Sequence, residues 1–271
     1  MKAGDLQLTD GASAGAWIEP GLGGEFGAVT LQVPKGFEAY ARIFHPAHDR
    51  EWNPVTWAEV AEFCGTATHP EMQWHAIVGL PRYEDLENSR WPGQEPNTGE
   101  MDIPTLDALC KVLASQTEDA THCFFGLCTI QRWEDAFSRD ELRGYRLLKL
   151  PRGRDHIVLE GPLSAVDQIV DERSGVIFSF TSASVRAGSK PPSEEEIAEP
   201  LKPSRGLPNL IWPADHSWLV ASEVDFDSTL VGGSAALIEV IVASSALEAR
   251  QVEPVTSLAE GADKINGAAG C

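Results

Sequence analysis

The spacing of hydrophobic positions changes several times along this chain, and each change predicts an element. Apolar residues alternate through Ala28–Val33, and strand formers return in Glu38–Phe44. The Pro-Lys-Gly-Phe between them suits a tight connection, so the pair predicts a β-hairpin. Trp57, Val60, Ala61 and Cys64 then fall at i, i+3, i+4 and i+7, which is a helical stripe. Thr56 with Glu59 matches a capping box, and Gly65 ends the helix. Residues 78–103 are rich in Pro, Gly, Asn and acids and read as a long loop. A second helix covers Pro104–Thr117, with Leu106, Leu109, Cys110 and Leu113 as its buried face.

His122–Thr129 is an apolar strand. Tyr145–Leu150 and His156–Glu160 predict a strand pair joined by Pro-Arg-Gly-Arg-Asp. Leu163–Val170 reads as a short helix and Gly175–Thr181 as a strand. Hydrophobicity then falls over residues 182–206, where the run from Lys190 to Pro200 has the composition of a flexible loop. Trp218–Val224 predicts a strand, Ser234–Val242 a helix after Gly232-Gly233, and Leu247–Val252 a closing strand. This irregular order favours an α+β fold with antiparallel or mixed sheets and helices packed on one side. Residues 15–252 make one domain or two closely packed lobes, about 15–140 and 145–252. Residues 1–14 and 253–271 are expected to be loose termini.

Charge narrows the partners. The 271 residues carry 41 acids against 21 bases, a formal charge of −20. Such a surface repels nucleic-acid phosphates and anionic lipid headgroups, so nucleic acid and membrane are not expected partners. A basic protein partner or a cationic small molecule is permitted. Composition leaves the oligomeric state open. The N-terminus lacks the apolar core of a signal peptide, and no apolar run reaches the ~18 residues of a membrane span. Five cysteines at spacings that match no disulfide framework read as free thiols in a reducing, cytoplasmic setting.

Candidate chemistry concentrates between Trp212 and Thr229. Glu223, Asp225 and Asp227 alternate, and on a strand that spacing puts three carboxylates on one face. Asp215 and His216 lie just upstream and complete either a hard, oxygen-rich metal or cation site or an acid–base set with Glu223 and Asp225. The competing reading is a solvated strand edge with Val224 and Phe226 in the core. Trp212, Trp218, Asp227 and Thr229 are the candidate ligand contacts, although tryptophans this numerous also fill cores. His45 and His48, three apart, are candidate transition-metal ligands, set against a plain turn at Pro46. Gly21–Gly27 precedes a strand rather than opening a helix, so it is not a phosphate loop. Gly232-Gly-Ser234 does open a helix, as a turn or as a small-anion site. No cofactor motif is present.

Several segments together carry a resemblance: Gly36-Phe-Glu-Ala-Tyr-Ala-Arg-Ile-Phe-His-Pro-Ala47, Trp57-Ala-Glu-Val-Ala61, His69-Pro-Glu-Met-Gln-Trp74, His122-Cys-Phe-Phe-Gly-Leu127, Leu159-Glu-Gly-Pro-Leu163, Asn209-Leu-Ile-Trp-Pro-Ala-Asp215, Glu223-Val-Asp225 and Thr229-Leu-Val-Gly-Gly-Ser234. With these the chain, from about Gly15 to Val252, resembles a family of uncharacterised actinobacterial cytoplasmic proteins. The resemblance implies a bacterial origin and assigns no reaction. Taken together, the sequence favours a non-enzymatic binding or interaction protein that uses a Trp- and carboxylate-rich surface around 212–229. The alternative is a small-molecule hydrolase with Asp215, His216, Glu223 and Asp225 as acid–base groups.

Overall fold

Long-range pairing of short apolar strands into one sheet organises this protein. The computed structural model describes residues 5–83, 88–131, 137–138, 140–171, 204–205 and 207–266. Its strands are β1 (Gln7–Thr9), β2 (Ala39–Phe44), β3 (Ala47–His48), β4 (Pro54–Val55), β5 (Cys123–Cys128), β6 (Leu148–Leu150), β7 (Arg154–Gly161), β8 (Val170–Asp171), β9 (Ser204–Arg205), β10 (Leu210–Pro213), β11 (Leu219–Ser222), β12 (Ser228–Gly233) and β13 (Ala249–Val252). Its helices are α1 (Gly11–Ala14), α2 (Trp57–Cys64), α3 (Trp74–Ile77), α4 (Ile103–Gln116) and α5 (Ala235–Ala243).

Nine of these strands form one sheet in the order β1-β7-β5-β10-β11-β12-β2-β13, with β6 pairing β7 beside β1. The pairings within it are antiparallel. The protein is therefore α+β. Successive side chains leave opposite faces of a strand, so the central strands are apolar on both sides. One face carries Ile43, Phe125, Leu127, Ile157, Leu159, Ile211, Val220 and Val231, and packs against α4 and α5. The other carries Tyr40, Phe124, Val158, Leu210, Trp212, Leu219 and Leu230, and packs against loops that include Ile18, Val29, Val33 and Leu258. A satellite cluster gathers Phe44, Trp57, Met72, Trp74 and Ile77 around α2 and α3. Among the described residues no helix is long and apolar enough to cross a membrane.

Local signals set the helices as expected. The Thr56 side chain accepts from the Glu59 amide while Glu59 returns a bond to the Thr56 amide, and Gly65 caps α2 in the left-handed region. Glu248 adds a second cap, accepting from the Trp57 and Ala58 amides at 2.6 and 2.8 Å. Asp102 caps α4 through the Thr105 amide, and Ser234 caps α5 through Leu237. The anion expected as an option at Gly232-Gly-Ser234 is already supplied within the chain: the Glu38 carboxylate accepts from the Ala235 amide at 2.9 Å.

Several expectations are corrected. Residues 29–31 form a 3-10 turn rather than the first strand of a hairpin, because Val29 and Thr30 bond the 254–256 segment and not β2. The chain before residue 15 is tied down from Asp5 onward. Leu6 is buried, and Gln7–Thr9 pairs with Val158–Glu160. The segment after Val252 is also docked, through buried Leu258 and Asp263, whose carboxylate accepts from His69, Gln73 and Asn266. A division near residues 140–145 does not describe the sheet. Strand β2 lies between β12 and β13, and β5 lies between β7 and β10, so the two halves alternate within it. The expected strand at 175–181 and nearly all of the 182–206 loop fall outside the described residues. Ser204–Arg205 pairs with Val170–Asp171.

Candidate functional site

The stretch read as one acidic strand is two strands and a turn. Strand β11 stops at Ser222, residues 223–227 turn, and β12 begins at Ser228. The Phe226 amide donates to the Glu223 carbonyl at 3.0 Å, closing the turn. The three carboxylates therefore do not share a face. Glu223 and Asp225 go one way, to Arg154, whose Nε donates to Glu223 at 2.7 Å and whose Nη2 donates to Asp225 at 2.6 Å. Asp227 goes the other way and is buried. Its Oδ1 faces Arg42 Nη2 at 3.4 Å and its Oδ2 accepts from the Tyr83 hydroxyl at 2.7 Å.

Arg42 has no solvent exposure. It donates to Ser228 Oγ and to the Pro70 and Met72 carbonyls, and its guanidinium lies over the Phe44 ring at 4.5 Å. Burial lowers its pKa further than the Asp227 charge restores it. This is an internal brace between the sheet and the α2–α3 cluster, not a ligand contact.

The two candidate tryptophans are core residues. Trp212 and Trp218 are fully buried on opposite faces of the sheet, Trp212 stacked on Phe124 and Trp218 donating to Thr117 Oγ1 at 2.8 Å. Thr229 is buried too, within a relay. Asn97 offers only a carbonyl to His45 Nδ1 at 2.8 Å, so Nδ1 carries the proton. Nε2 then accepts from the Thr229 hydroxyl at 2.9 Å, and Thr229 Oγ1 accepts from Ser222 Oγ at 2.6 Å. Both ring nitrogens of His45 are occupied. His48 is half-buried and tilts against Trp52, so the two histidines do not form a metal pair. Among the described residues no group of three or more His, Cys, Asp or Glu side chains is arranged to hold a metal ion.

Asp215 and His216 occupy the tight turn between β10 and β11. Asp215 accepts from the Ser217 amide, and His216 adopts φ 59° and stacks on Trp17 at 4.5 Å. Glu223 lies at the other end of β11. Four residues at ~3.3 Å each separate the two ends by about 13 Å. The proposed acid–base quartet is therefore not assembled.

What the structure does assemble is a cavity of about 290 Å³ on the face opposite α4 and α5. Its floor comes from four adjacent strands: Cys128 of β5, His156 of β7, Leu210 of β10 and Ala221 of β11. These are cross-strand neighbours, with Cys128 opposite His156 and Leu210 opposite Ala221, so they share one face. Leu150, Pro151 and Arg154 form one wall, and residues 222–226, from the end of β11 into the turn, form the other. Leu22, Phe26, Leu31 and Gln32 cover it. The cover is held by Gly27, which sits at φ 83° with its carbonyl accepting from Leu258; a Cβ there would lie 2.7 Å from the Ala259 nitrogen. Asn209 fixes the floor, its Oδ1 accepting from the Cys128 amide and its Nδ2 donating to the Ser222 carbonyl.

The polar groups facing this space have definite states. His156 is 4% exposed, and its Nδ1 donates to the Arg154 carbonyl at 3.0 Å. Burial drops its pKa to about 4, so the ring is neutral at pH 7 and Nε2 is a bare acceptor. No partner for Nε2 occurs among the described residues. Gln32 Oε1 is likewise buried without a partner. Burial works against the Arg154 charge, but its bonds to Glu223 and the charge of Asp225 outweigh it and hold the pKa above its ordinary value. Burial pushes the Cys128 thiol up, which leaves it a poor nucleophile. Of the cavity residues, the sequence pointed to Glu223 and Asp225. It did not point to Arg154 or His156, since a lone Arg and His on a strand carry no motif until three neighbouring strands are placed. Comparisons with protein-family models, with curated proteins and with solved structures gave no match.

Proposed function

We propose that this protein binds a small, largely apolar molecule in the cavity between the β7-β5-β10-β11 floor and the 22–32 cover. The observation that carries this reading is the lining itself. Leucines, Ala221, Val224 and Phe226 enclose a few convergent polar groups, one of which, Gln32 Oε1, is buried and unpartnered. That combination is the usual make-up of a ligand site, and about 290 Å³ lies just below the ~300–1,000 Å³ that drug-sized sites span, which suits a small ligand. Unpartnered buried acceptors cost stability unless a ligand or water satisfies them. The binding reading favoured by the sequence thus keeps its class and changes its place, from a tryptophan surface to this cavity. Free buried thiols and the resemblance to cytoplasmic proteins support a reducing cytoplasmic setting for it.

Saturation-transfer NMR with indole and phenethyl alcohol tests the proposal, using the wild type and Val224→Trp, which fills the cavity from its half-exposed wall. Saturable one-to-one binding to the wild type, weakened about tenfold or more in Val224→Trp, is the expected result. Absence of binding, or binding that Val224→Trp leaves unchanged, overturns it.

A further inference from the structure

We infer that the ligand is a hydrophobic amine, whose ammonium group lies between His156 and the Glu223–Asp225 pair while its apolar body fills the cavity. This rests on the cavity being the binding site. The inference comes from the sign of the charged groups facing that space and the hydrogen-bonding sense of its His156 and Gln32 acceptors. His156 Nε2 accepts, because Nδ1 already gives its proton to the Arg154 carbonyl. Glu223 and Asp225 accept, and each carboxylate has lone pairs beyond the bond it takes from Arg154. Gln32 presents its buried Oε1.

Among the described lining residues the one cationic donor is Arg154, and it is engaged by two carboxylates, so one positive charge meets two negative ones. A residual negative charge and a set of acceptors call for a positive ligand with several N–H donors, and a primary ammonium has three. A carboxylate ligand would face that residual charge and would have to displace an internal partner of Arg154. A neutral alcohol supplies a single donor. The neutral state of His156 removes the repulsion that an imidazolium would bring. The net charge of −20 attracts cations over the whole surface.

The test compares three probes of one shape: phenethylamine, phenethyl alcohol and hydrocinnamate, titrated by calorimetry at pH 7 in low salt. The expected order is amine tightest by about tenfold, then alcohol, with the acid weakest. Asp225→Asn changes an exposed side chain and leaves the fold intact. It is expected to weaken the amine two- to fivefold, the range of an exposed ion pair, and to leave the alcohol unchanged. His156→Leu is expected to remove most of the remaining preference for the amine over the alcohol. Equal binding of amine and alcohol, or tighter binding of hydrocinnamate, overturns the amine inference while the cavity reading stands. Failure of all three probes to bind overturns both.

Discussion

Replacing Asp227 with alanine should be among the most damaging single changes available to this protein. Arg42 is fully enclosed, and Asp227 is the carboxylate it faces directly. The Arg42 pKa is pulled down by burial despite that carboxylate, so desolvation outweighs attraction and the pair is not a net source of stability. Removing one member is a different matter. Asp227→Ala leaves a guanidinium in the core whose hydrogen-bond acceptors among the described residues are only Ser228 and two carbonyls, and it deprives the Tyr83 hydroxyl of its acceptor. Orphaning one charge of a buried pair costs about 3–5 kcal/mol. For a chain of this size that lowers Tm by roughly 6–20 °C at ~2–4 °C per kcal/mol. Urea unfolding of the wild type, Asp227→Ala, Arg42→Met and the double variant gives a complete cycle. The double variant, which buries no charge at this site, should be more stable than the sum of the single losses by about 2 kcal/mol. Additive losses, or a cost below about 1 kcal/mol for Asp227→Ala, would refute the brace.

Three further outcomes follow from the same geometry. His156 has a folded pKa near 4 against an ordinary 6.5, so the unfolded chain binds more protons between those values and stability falls as pH drops from 6.5 to 4. The drop is at most roughly 3–4 kcal/mol at ~1.4 kcal/mol per pH unit. The Tm–pH profile of His156→Leu should therefore be flatter than the wild type over that window, and parallel profiles would contradict the assignment. In a Cys110→Ser/Cys271→Ser background, the buried thiols of Cys64, Cys123 and Cys128, all raised by burial and Cys123 to about 12, should react with a disulfide reagent at pH 8 only after denaturant is added. Thr56→Ala removes the α2 capping box and should cost about 1 kcal/mol in chemical denaturation; no measurable loss would mean that Glu248 alone suffices as the cap.

What could be read from the sequence divides along physical lines. Helices α2, α4 and α5 were legible because their caps and stripes lie within one short window. Strand β10 was missed because Pro213 and the Trp-rich composition read as surface. Strand β12 was missed because Gly232-Gly233 looks like a turn. The glycines are there for close packing: a Cβ on Gly232 would come within 2.5 Å of the Phe37 ring. Without β12, the residues from Glu223 to Asp227 had the alternation of a strand, and their carboxylates were assigned to a common face. The site was half legible for a related reason. Glu223 and Asp225 stood out by local density, whereas Arg154 and His156 gain meaning only from β7 lying next to β5.

The alternation of the two halves within one sheet also sets a schedule for how the chain matures. Strand β2, complete by residue 44, takes both its neighbours from residues 228–252. A ribosome adding ~5–20 residues per second needs roughly 10–40 s to make the intervening chain. For that interval the six apolar-rich residues of β2 have neither hydrogen-bonded edge matched, and the guanidinium of Arg42 waits for Ser228 and Asp227. Helices α2 and α4 have their own caps and can form early, but the sheet closes only once its last strand has emerged. The nascent chain thus carries β2 with both edges open from residue 44 until residues 228–252 have been made.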